Sequence, residues 1–584
     1  MNLEKVNSGD ITSTKTVPPS ADSHILLMML PFWPPQIPPM GISCLKSYLV
    51  PRGCRVTTID LNTDNRLRGF YYNYFETLGK YIPPEMRGNF YGIGTDVLKN
   101  HLMAHINPPL DQEERYIELV KILIEKTYYL TVEEAAIREL NGILTDYYAN
   151  LEDYLVRLLE RLRPAVLGLS VTNGTLASSL FAFRIAKKMN PVIKTVMGGG
   201  VFSDHLAVGS PNLEDFLEKT KDSIDHLVIG EGEILFFKLL AREFPPSKRV
   251  LTLKDINGQL LDLSTVDIPD FTDFDIGAYP YSSGYASRSC PYQCGFCSET
   301  VLWGKYRKKD LAQTVREFER LFQRDGTQLF SLSDSLLNPV ITELAREFIK
   351  SRYAIYWDAC LRAGAQSCQP ENVHSWRKGG FYKAWLGLES GSQRVLNLMN
   401  KQLTLAQTRG TVTNLANAGI KTATLWLIGY PGETEADFQQ TLDLLEELKD
   451  DIYDAEGTPF WYFLQGQSNS AQWRNTPSRL LYPEDAADML ILQTWVLESE
   501  PSRKEIYERH RRFIRHLNRL GIPNPYTLEE MYEADERWKK LHPNAVPGII
   551  EFDPSTYIDE CKQVEEVFRL PDLDLQQEEG DFCF

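Results

Sequence analysis

Twice along the chain a short apolar run closes on a glycine or small polar turn and is followed by an amphipathic stretch of helical period. Such alternation folds into little other than parallel β-sheet with helices on its faces. The first series opens with Ile25–Leu30, a Pro-rich loop from Pro31 to Pro39, a helix after Gly41 and the strand Arg55–Ile59, closed by Asp60. A stretch from 63 to about 162 interrupts it with amphipathic segments, Tyr116–Leu130 and Val132–Leu162, which predict a helical insertion. The strands then resume as Ala165–Ser170, Ile193–Met197 before Gly198–Gly200, and His226–Ile229 before Gly230-Glu231-Gly232-Glu233, with the helix Leu176–Met189 after the first of them. The second series places strands near Tyr285–Ser289, Gln328–Ser333, Ala354–Ala359, Lys383–Gly387 and Lys421–Ile428, each followed by a helical segment.

This pattern predicts an α/β chain: a doubly wound, Rossmann-like domain over 23–245, a linker over 246–280, a partial (β/α)6 barrel over 281–456, and a mainly helical region over 457–571. That last region is expected to open on a strand, Pro459–Leu464, and to hold helices over Pro483–Glu498, Arg503–Leu520 and Thr527–Leu541. Residues 1–22 read as a polar leader and 572–584 as an acidic tail, neither carrying chemistry. In both series the glycine and small-residue turns follow strand carboxyl ends, where open sheets and barrels bind their ligands.

A length of 584 residues demands more than one core. With 43% hydrophobic and 24% charged residues, and no apolar run long enough for a membrane span, the chain reads as soluble, and the absence of a secretory pattern makes cytoplasmic the expected location. The net charge of −17 argues against nucleic acid, whose phosphates are neutralised by Lys and Arg. A small molecule or peptide is the expected substrate. Nine cysteines, sparse and odd in number, are unlike a secreted disulfide framework.

Three of those cysteines stand together in Cys290-Pro291-Tyr292-Gln293-Cys294-Gly295-Phe296-Cys297. Thiolates at this spacing favour zinc or iron–sulfur. A structural zinc site needs a fourth ligand, commonly from a second paired motif, and none accompanies this one; Cys360 and Cys368 form no close knuckle. Three thiolates on a four-iron cube leave one iron open to chelation by a small molecule. An amino acid's amine and carboxylate suit it.

CxxxCxxC with an aromatic before the last cysteine, directly after the first strand of a βα series, resembles the radical S-adenosylmethionine superfamily. The resemblance implies that Cys290, Cys294 and Cys297 hold a 4Fe-4S cluster, that S-adenosylmethionine chelates the open iron, and that its reductive cleavage yields a 5′-deoxyadenosyl radical. Later strand ends follow the family's order of motifs: Ser331-Leu-Ser-Asp334-Ser335, Leu361-Arg362, Gly387-Leu-Glu389-Ser390-Gly391 and Leu427-Ile428-Gly429-Tyr-Pro431. By resemblance Arg362 pairs the methionine carboxylate, Glu389 and Ser390 meet amine or ribose, Phe296 meets adenine, Ile428, Gly429 and Pro431 line the adenine site, and Asp334, with Asn338, is a weaker candidate. The chain lacks the Gly-Gly-Glu triplet of many members. An electron donor of flavodoxin or ferredoxin type is the implied partner.

The first domain resembles the cobalamin-binding domains fused ahead of such enzymes, with Ser170, Thr172, Gly198, Gly199, Gly200 and Glu231 as the implied contacts. The Asp-x-His-x-x-Gly motif of mutase-type cobalamin domains is missing, since neither His205 nor His226 has that spacing. Phe460–Phe463, Gln465, Gln467 and Trp473 read either as substrate wall or as packing. Three readings follow: a cobalamin-dependent methyltransferase acting on an unactivated centre, which this order of motifs favours; a radical oxidase, cyclase or rearrangement enzyme with a vestigial cobalamin domain; and a non-catalytic iron–sulfur or cobalamin sensor. Cys561 and Cys583 read as ordinary thiols.

Overall fold

The computed structural model describes residues 23–543 apart from 110–111, 465, 468–472 and 527. The leader, the acidic tail, Gln465, Cys561 and Cys583 therefore lie outside the described residues. Two parallel six-stranded sheets organise the chain. The first runs β2-β1-β3-β4-β5-β6, with β1 His24–Met29, β2 Arg55–Asp60, β3 Val166–Ser170, β4 Lys194–Gly198, β5 His226–Ile229 and β6 Val250–Thr252. Its central strand β1 is buried at every position, the signature of a sheet covered on both faces.

Between β2 and β3 the expected insertion consists of helices Asn65–Tyr81, Phe90–Ile106, Glu113–Tyr128 and Glu134–Leu162. Tyr74, Phe75, Tyr128 and Tyr147 are wholly buried among them, and His101 sits between the hydroxyls of Tyr74 (2.9 Å) and Tyr116 (2.8 Å). Buried aromatics whose polar tips find partners hold this layer together.

The segment expected to be a linker is not one. Its residues Val250–Thr252 form β6, paired with β5, and Leu261, Leu263 and Val266 pack with Tyr285 against Met40 and Cys44. Asp273 accepts from the Thr58 amide at 2.8 Å and pairs with Lys46 at 2.8 Å, while Asp270 lies 3.3 Å from the same ammonium. A three-residue strand is too short to announce itself by periodicity.

The second sheet runs β14-β13-β12-β11-β10-β7. Its strands are β7 Ser282–Gly284, β10 Leu329–Leu332, β11 Tyr356–Leu361, β12 Phe381–Glu389, β13 Lys421–Ile428 and β14 Asp454–Pro459. Its first strand precedes the expected Tyr285–Ser289. Ser282–Gly284 carry little apolar signal because the Phe318 ring crowds Gly284, where a Cβ would lie 2.6 Å from it. Ser287–Arg288 (β8) instead pair antiparallel with Arg307–Lys308 (β9).

Beyond the barrel, the expected strand Pro459–Leu464 is displaced to β14, whose polar residues hid it. The expected helix Pro483–Glu498 gives only a helical turn up to Leu490, followed by strand β16, Trp495–Leu497, paired with β15, Ser478–Leu480. Its run Leu490–Leu492 with Trp495–Leu497 leaves no polar stripe for a surface helix. Helix Arg503–Leu520 forms as expected and packs its Phe513 on Trp426 of β13. No helix among the described residues is long and apolar enough to cross a membrane.

Candidate active site

The carboxyl ends of the two sheets border one cavity of about 400 Å³, a size typical of ligand sites. Its inner part runs between Leu27, Val196 and Val228 of the first sheet and Ile42, Leu45 and Phe236 of the covering helices. Its rim is Ser170, Gly198, Gly199 and Gly230 on one side and Ser287–Ser289, Glu299, Ser333 and Ser335 on the other. Ser170, Gly198 and Gly199, expected from the sequence, stand in these walls. Thr172 and Gly200 do not: the Thr172 amide donates to Thr175 Oγ1 at 3.0 Å in a capping turn, and Gly200 begins the next helical turn. Gly199 has φ +114°, and a Cβ there would lie 2.4 Å from the Val171 carbonyl oxygen. Gly199→Ala should cost about 1–3 kcal/mol, seen as a lowered denaturation midpoint.

Glu231 also lies outside the cavity walls, in an ionic junction between the domains. Arg288 of β8 donates to Glu231 at 2.9 Å and to Glu233 at 2.6 Å, and Arg307 of β9 donates to Glu231 at 2.6 Å. The junction holds the hairpin from which the cysteine loop departs. Ser289 turns the chain with φ +71°, its hydroxyl donating to the Gly304 carbonyl at 2.7 Å. Asp334 accepts from the Ala286 amide at 3.0 Å and from the Ser287 hydroxyl, so this buried carboxyl, pushed up to about 6 by burial, fixes the approach to the loop.

Within the loop the Gly295 amide donates to Met399 O at 2.8 Å, Asn400 Nδ2 to Gln293 O at 2.9 Å, and the Cys297 amide to Cys294 O at 3.0 Å. Cys294 is buried and Cys290 and Cys297 are half-buried. Burial pushes the Cys290 thiol up and that of Cys297 up to about 12, so a metal has to displace protons on binding. Among the described residues no group of three His, Cys, Asp or Glu is arranged to hold a metal ion.

Arg362 follows β11 and is buried. Its Nη1 is 3.8 Å from Cys294 Sγ, its guanidinium carbon is 4.1 Å from the centre of the Tyr292 ring, and its Nη2 is buried with no partner. Asn338 fixes the Arg362 backbone through two bonds, to its amide (2.7 Å) and from Nδ2 to its carbonyl (2.8 Å). Asn338 is thus a positioning residue. Glu389 ends β12 at φ +65° and accepts from Lys401 Nζ at 2.6 Å, and that ammonium lies 5.6 Å from the Phe296 ring centre.

Other expected contacts are directed elsewhere. Ser390 is buried, its hydroxyl 3.4 Å from that of Thr441, and Ile428 packs into the core toward the helices. Leu427 is the residue that joins Phe296 in an apolar cluster with Tyr430, Tyr462 and Trp473, a correction that follows from the two-residue period of the strand. The aromatic segment after β14 is therefore packing in part, with Gln467 donating to the Phe296 carbonyl at 3.0 Å. Gly429 donates to Glu433 at 3.0 Å, and Pro431 is half-buried. Arg288, Lys401 and Glu299 were missed in the sequence, where each is one charge among many.

Residues 285–445 match the Radical SAM superfamily. The chain is 25% identical over 331 residues to the anaerobic magnesium-protoporphyrin IX monomethyl ester cyclase of Rubrivivax gelatinosus, covering 52% of this chain and 57% of the cyclase. It is 22% identical over 344 residues to an uncharacterized methyltransferase of Pyrococcus horikoshii, covering 54% and 71%. The chain thus spans little more than half the length of the cyclase. Among solved structures it resembles the radical S-adenosylmethionine methyltransferase TsrM of Kitasatospora setae, solved with tryptophan and an S-adenosylmethionine analogue (TM-score 0.57, 14% identity, 93% of this chain and 100% of that one). It also resembles the cobalamin-dependent S-adenosylmethionine radical enzyme OxsB (TM-score 0.51, 14% identity, 94% and 79%). Residues 285–445 thus match the radical S-adenosylmethionine superfamily, and the chain has the fold of the two solved enzymes named.

Proposed function

We propose that the protein is a cobalamin-dependent radical S-adenosylmethionine methyltransferase acting on an unactivated centre of a small molecule or peptide. The observation that carries this reading is the shared cavity, which has glycine turns of the first sheet on one rim and the hairpin of the cysteine loop on the other. The residues fit the groups implied. A flat ring needs a rim without side chains, which Gly198 and Gly199 offer, and a tail needs an apolar slot, which Leu27, Val196, Val228 and Phe236 offer. Cys290, Cys294 and Cys297 would hold a 4Fe-4S cluster. The unpartnered Nη2 of Arg362, beside Cys294, suits a carboxylate, and the Glu389–Lys401 pair and Phe296 suit the amine, ribose or adenine of S-adenosylmethionine.

Bound there, these groups supply a methyl donor and a hydrogen-abstracting carbon radical; the protein supplies position and dryness. Arg362, its backbone clamped by Asn338, orients the carboxylate. The Arg288 junction holds the loop against the first domain, and the buried walls keep out stray hydrogen donors and other groups that would intercept a reactive carbon. Reduction requires a donor of flavodoxin or ferredoxin type.

The test is anaerobic reconstitution with iron, sulfide and hydroxocobalamin, then assay of metal content, 5′-deoxyadenosine and S-adenosylhomocysteine. About four irons and one cobalt per chain with both products is the expected result. The cyclases among the relatives favour a second reading, ring formation without methyl transfer. Formation of 5′-deoxyadenosine alone would support it, and absence of a cluster would overturn both.

A further inference from the structure

Inside the barrel the strands alternate sharply in exposure. On β11–β14 the residues Cys360, Trp385, Leu425, Leu427, Glu456 and Thr458 are open while their neighbours are buried. The open set faces the lumen. Ala455 packs into the core beneath the helices, and a Cβ on Gly457 would meet Phe513 of helix Arg503–Leu520 at 2.6 Å. Glu456 therefore points the other way, with Asp454.

Below this open layer the lumen has a sealed polar floor. Lys383 lies 3.6 Å from Asp454, Lys421 pairs with Asp535, and Asp358 accepts from Ser331 (2.7 Å) and Tyr382 (3.2 Å). Near the mouth, Lys401 is taken by Glu389. Each lumen lysine thus has its carboxylate, and Glu456 has neither a hydrogen bond nor an ion pair among the described residues. Burial and the neighbouring Asp454 push its carboxyl up to about 7, against the opposing pull of Lys383, which lies against Asp454. The indole of Trp385 lies over Lys383, whose ammonium is 3.8 Å from the ring centre, so the other face of the ring is the one that borders the open layer.

Leu425 separates Glu456 from Gly387 in register, so Glu456 stands two strands, about 10 Å, from β12. Arg362, after β11, lies beyond β12 on the far side, whereas the cysteine loop reaches β13 at the mouth, where Phe296 packs with Leu427.

Resting on the proposed function, we infer that the lumen takes a substrate with a basic nitrogen on an apolar or aromatic body, Glu456 binding the nitrogen and Trp385 forming the wall for the body. A protonated amine, amidine or guanidine supplies the missing charge and donors. A neutral or anionic compound leaves the carboxylate desolvated and unpaired, which is costly. Glu456 is then a specificity-determining residue, two residues deeper along the strands than Leu427 and the Phe296 ring that packs on it.

The experiment is calorimetric titration of the reconstituted protein at pH 8 with phenethylamine, tryptamine and agmatine, and with the alcohol and carboxylate counterparts of the first two. At least one amine is expected to bind about tenfold or more tightly than its alcohol, with the carboxylates weakest. E456Q should remove that preference and E456D should keep it, both retaining wild-type iron content. Failure of all three amines to bind, equal affinity for amine and alcohol, or an undiminished preference in E456Q would overturn the inference. Loss of the cluster or of 5′-deoxyadenosine formation in the wild type would instead count against the cofactor reading.

Discussion

Replacing any one of Cys290, Cys294 and Cys297 with alanine is expected to reduce iron from about four per chain to below one, and to abolish S-adenosylmethionine cleavage. A cube held by three thiolates at one loop has no spare protein ligand, so the loss of one leaves two adjacent irons exposed. Among the described residues the other thiols near the barrel are placed elsewhere: Cys44 packs near Tyr285 on the helix Met40–Leu49, Cys360 lies on the lumen face of β11, and Cys368 sits against Gly410 and Thr411. The loop itself should persist, because its backbone is pinned by Met399 and Asn400 rather than by the thiols. Circular dichroism should accordingly stay unchanged while visible absorbance disappears. Cys54→Ala and Cys368→Ala should keep their iron. A fully loaded cluster in any of the three loop variants would end the iron–sulfur assignment.

The second large effect is expected at Arg288, whose side chain is one-tenth exposed and joins Glu231 and Glu233. Arg288→Ala leaves Glu233 without an ion pair among the described residues and Glu231 with Arg307 alone. Removing one member of a buried ionic group costs about 3–5 kcal/mol, because the remaining charge stays desolvated. The loss should appear in the denaturation midpoint and be partly restored by Glu233→Gln in the same chain. On the proposed function, cleavage of S-adenosylmethionine should fall less than methyl transfer, since the first would need only the barrel and the second both domains in register. Unchanged stability and an unchanged ratio of the two products would refute a positioning role.

The frame was legible because strands covered on both faces are rich in apolar residues: Ile25–Leu30, Ala165–Ser170 and Lys421–Ile428 each read as strands from composition and spacing, within a residue or two of the observed ends. Ser282–Gly284 and Asp454–Pro459 did not, the first because a neighbouring ring leaves no space for side chains, the second because its polar residues face a cavity. The cysteine loop was legible from spacing alone. What escaped the sequence were pairings across distance. Arg288 finds its acids fifty-five residues earlier in the chain, and Lys401 reaches Glu389 across a helical turn. Ile428, expected to line a ligand site, packs into the core instead, because alternation shows which residues share a face and not which face opens to the lumen.

The segment 250–273 has a consequence for how such a chain can be divided. It contributes the edge strand β6, clamps Lys46 and Thr58 with Asp273, and covers the helix Met40–Leu49 with Leu261 and Leu263. A boundary drawn at residue 245 would strip the first domain of an edge strand and strand a lysine without its countercharges. Modular exchange of the front half must carry this stretch along, and the incoming half must present acids to Arg288 and Arg307. Swapping one half alone therefore breaks contacts on both sides of the seam, not only at the cut.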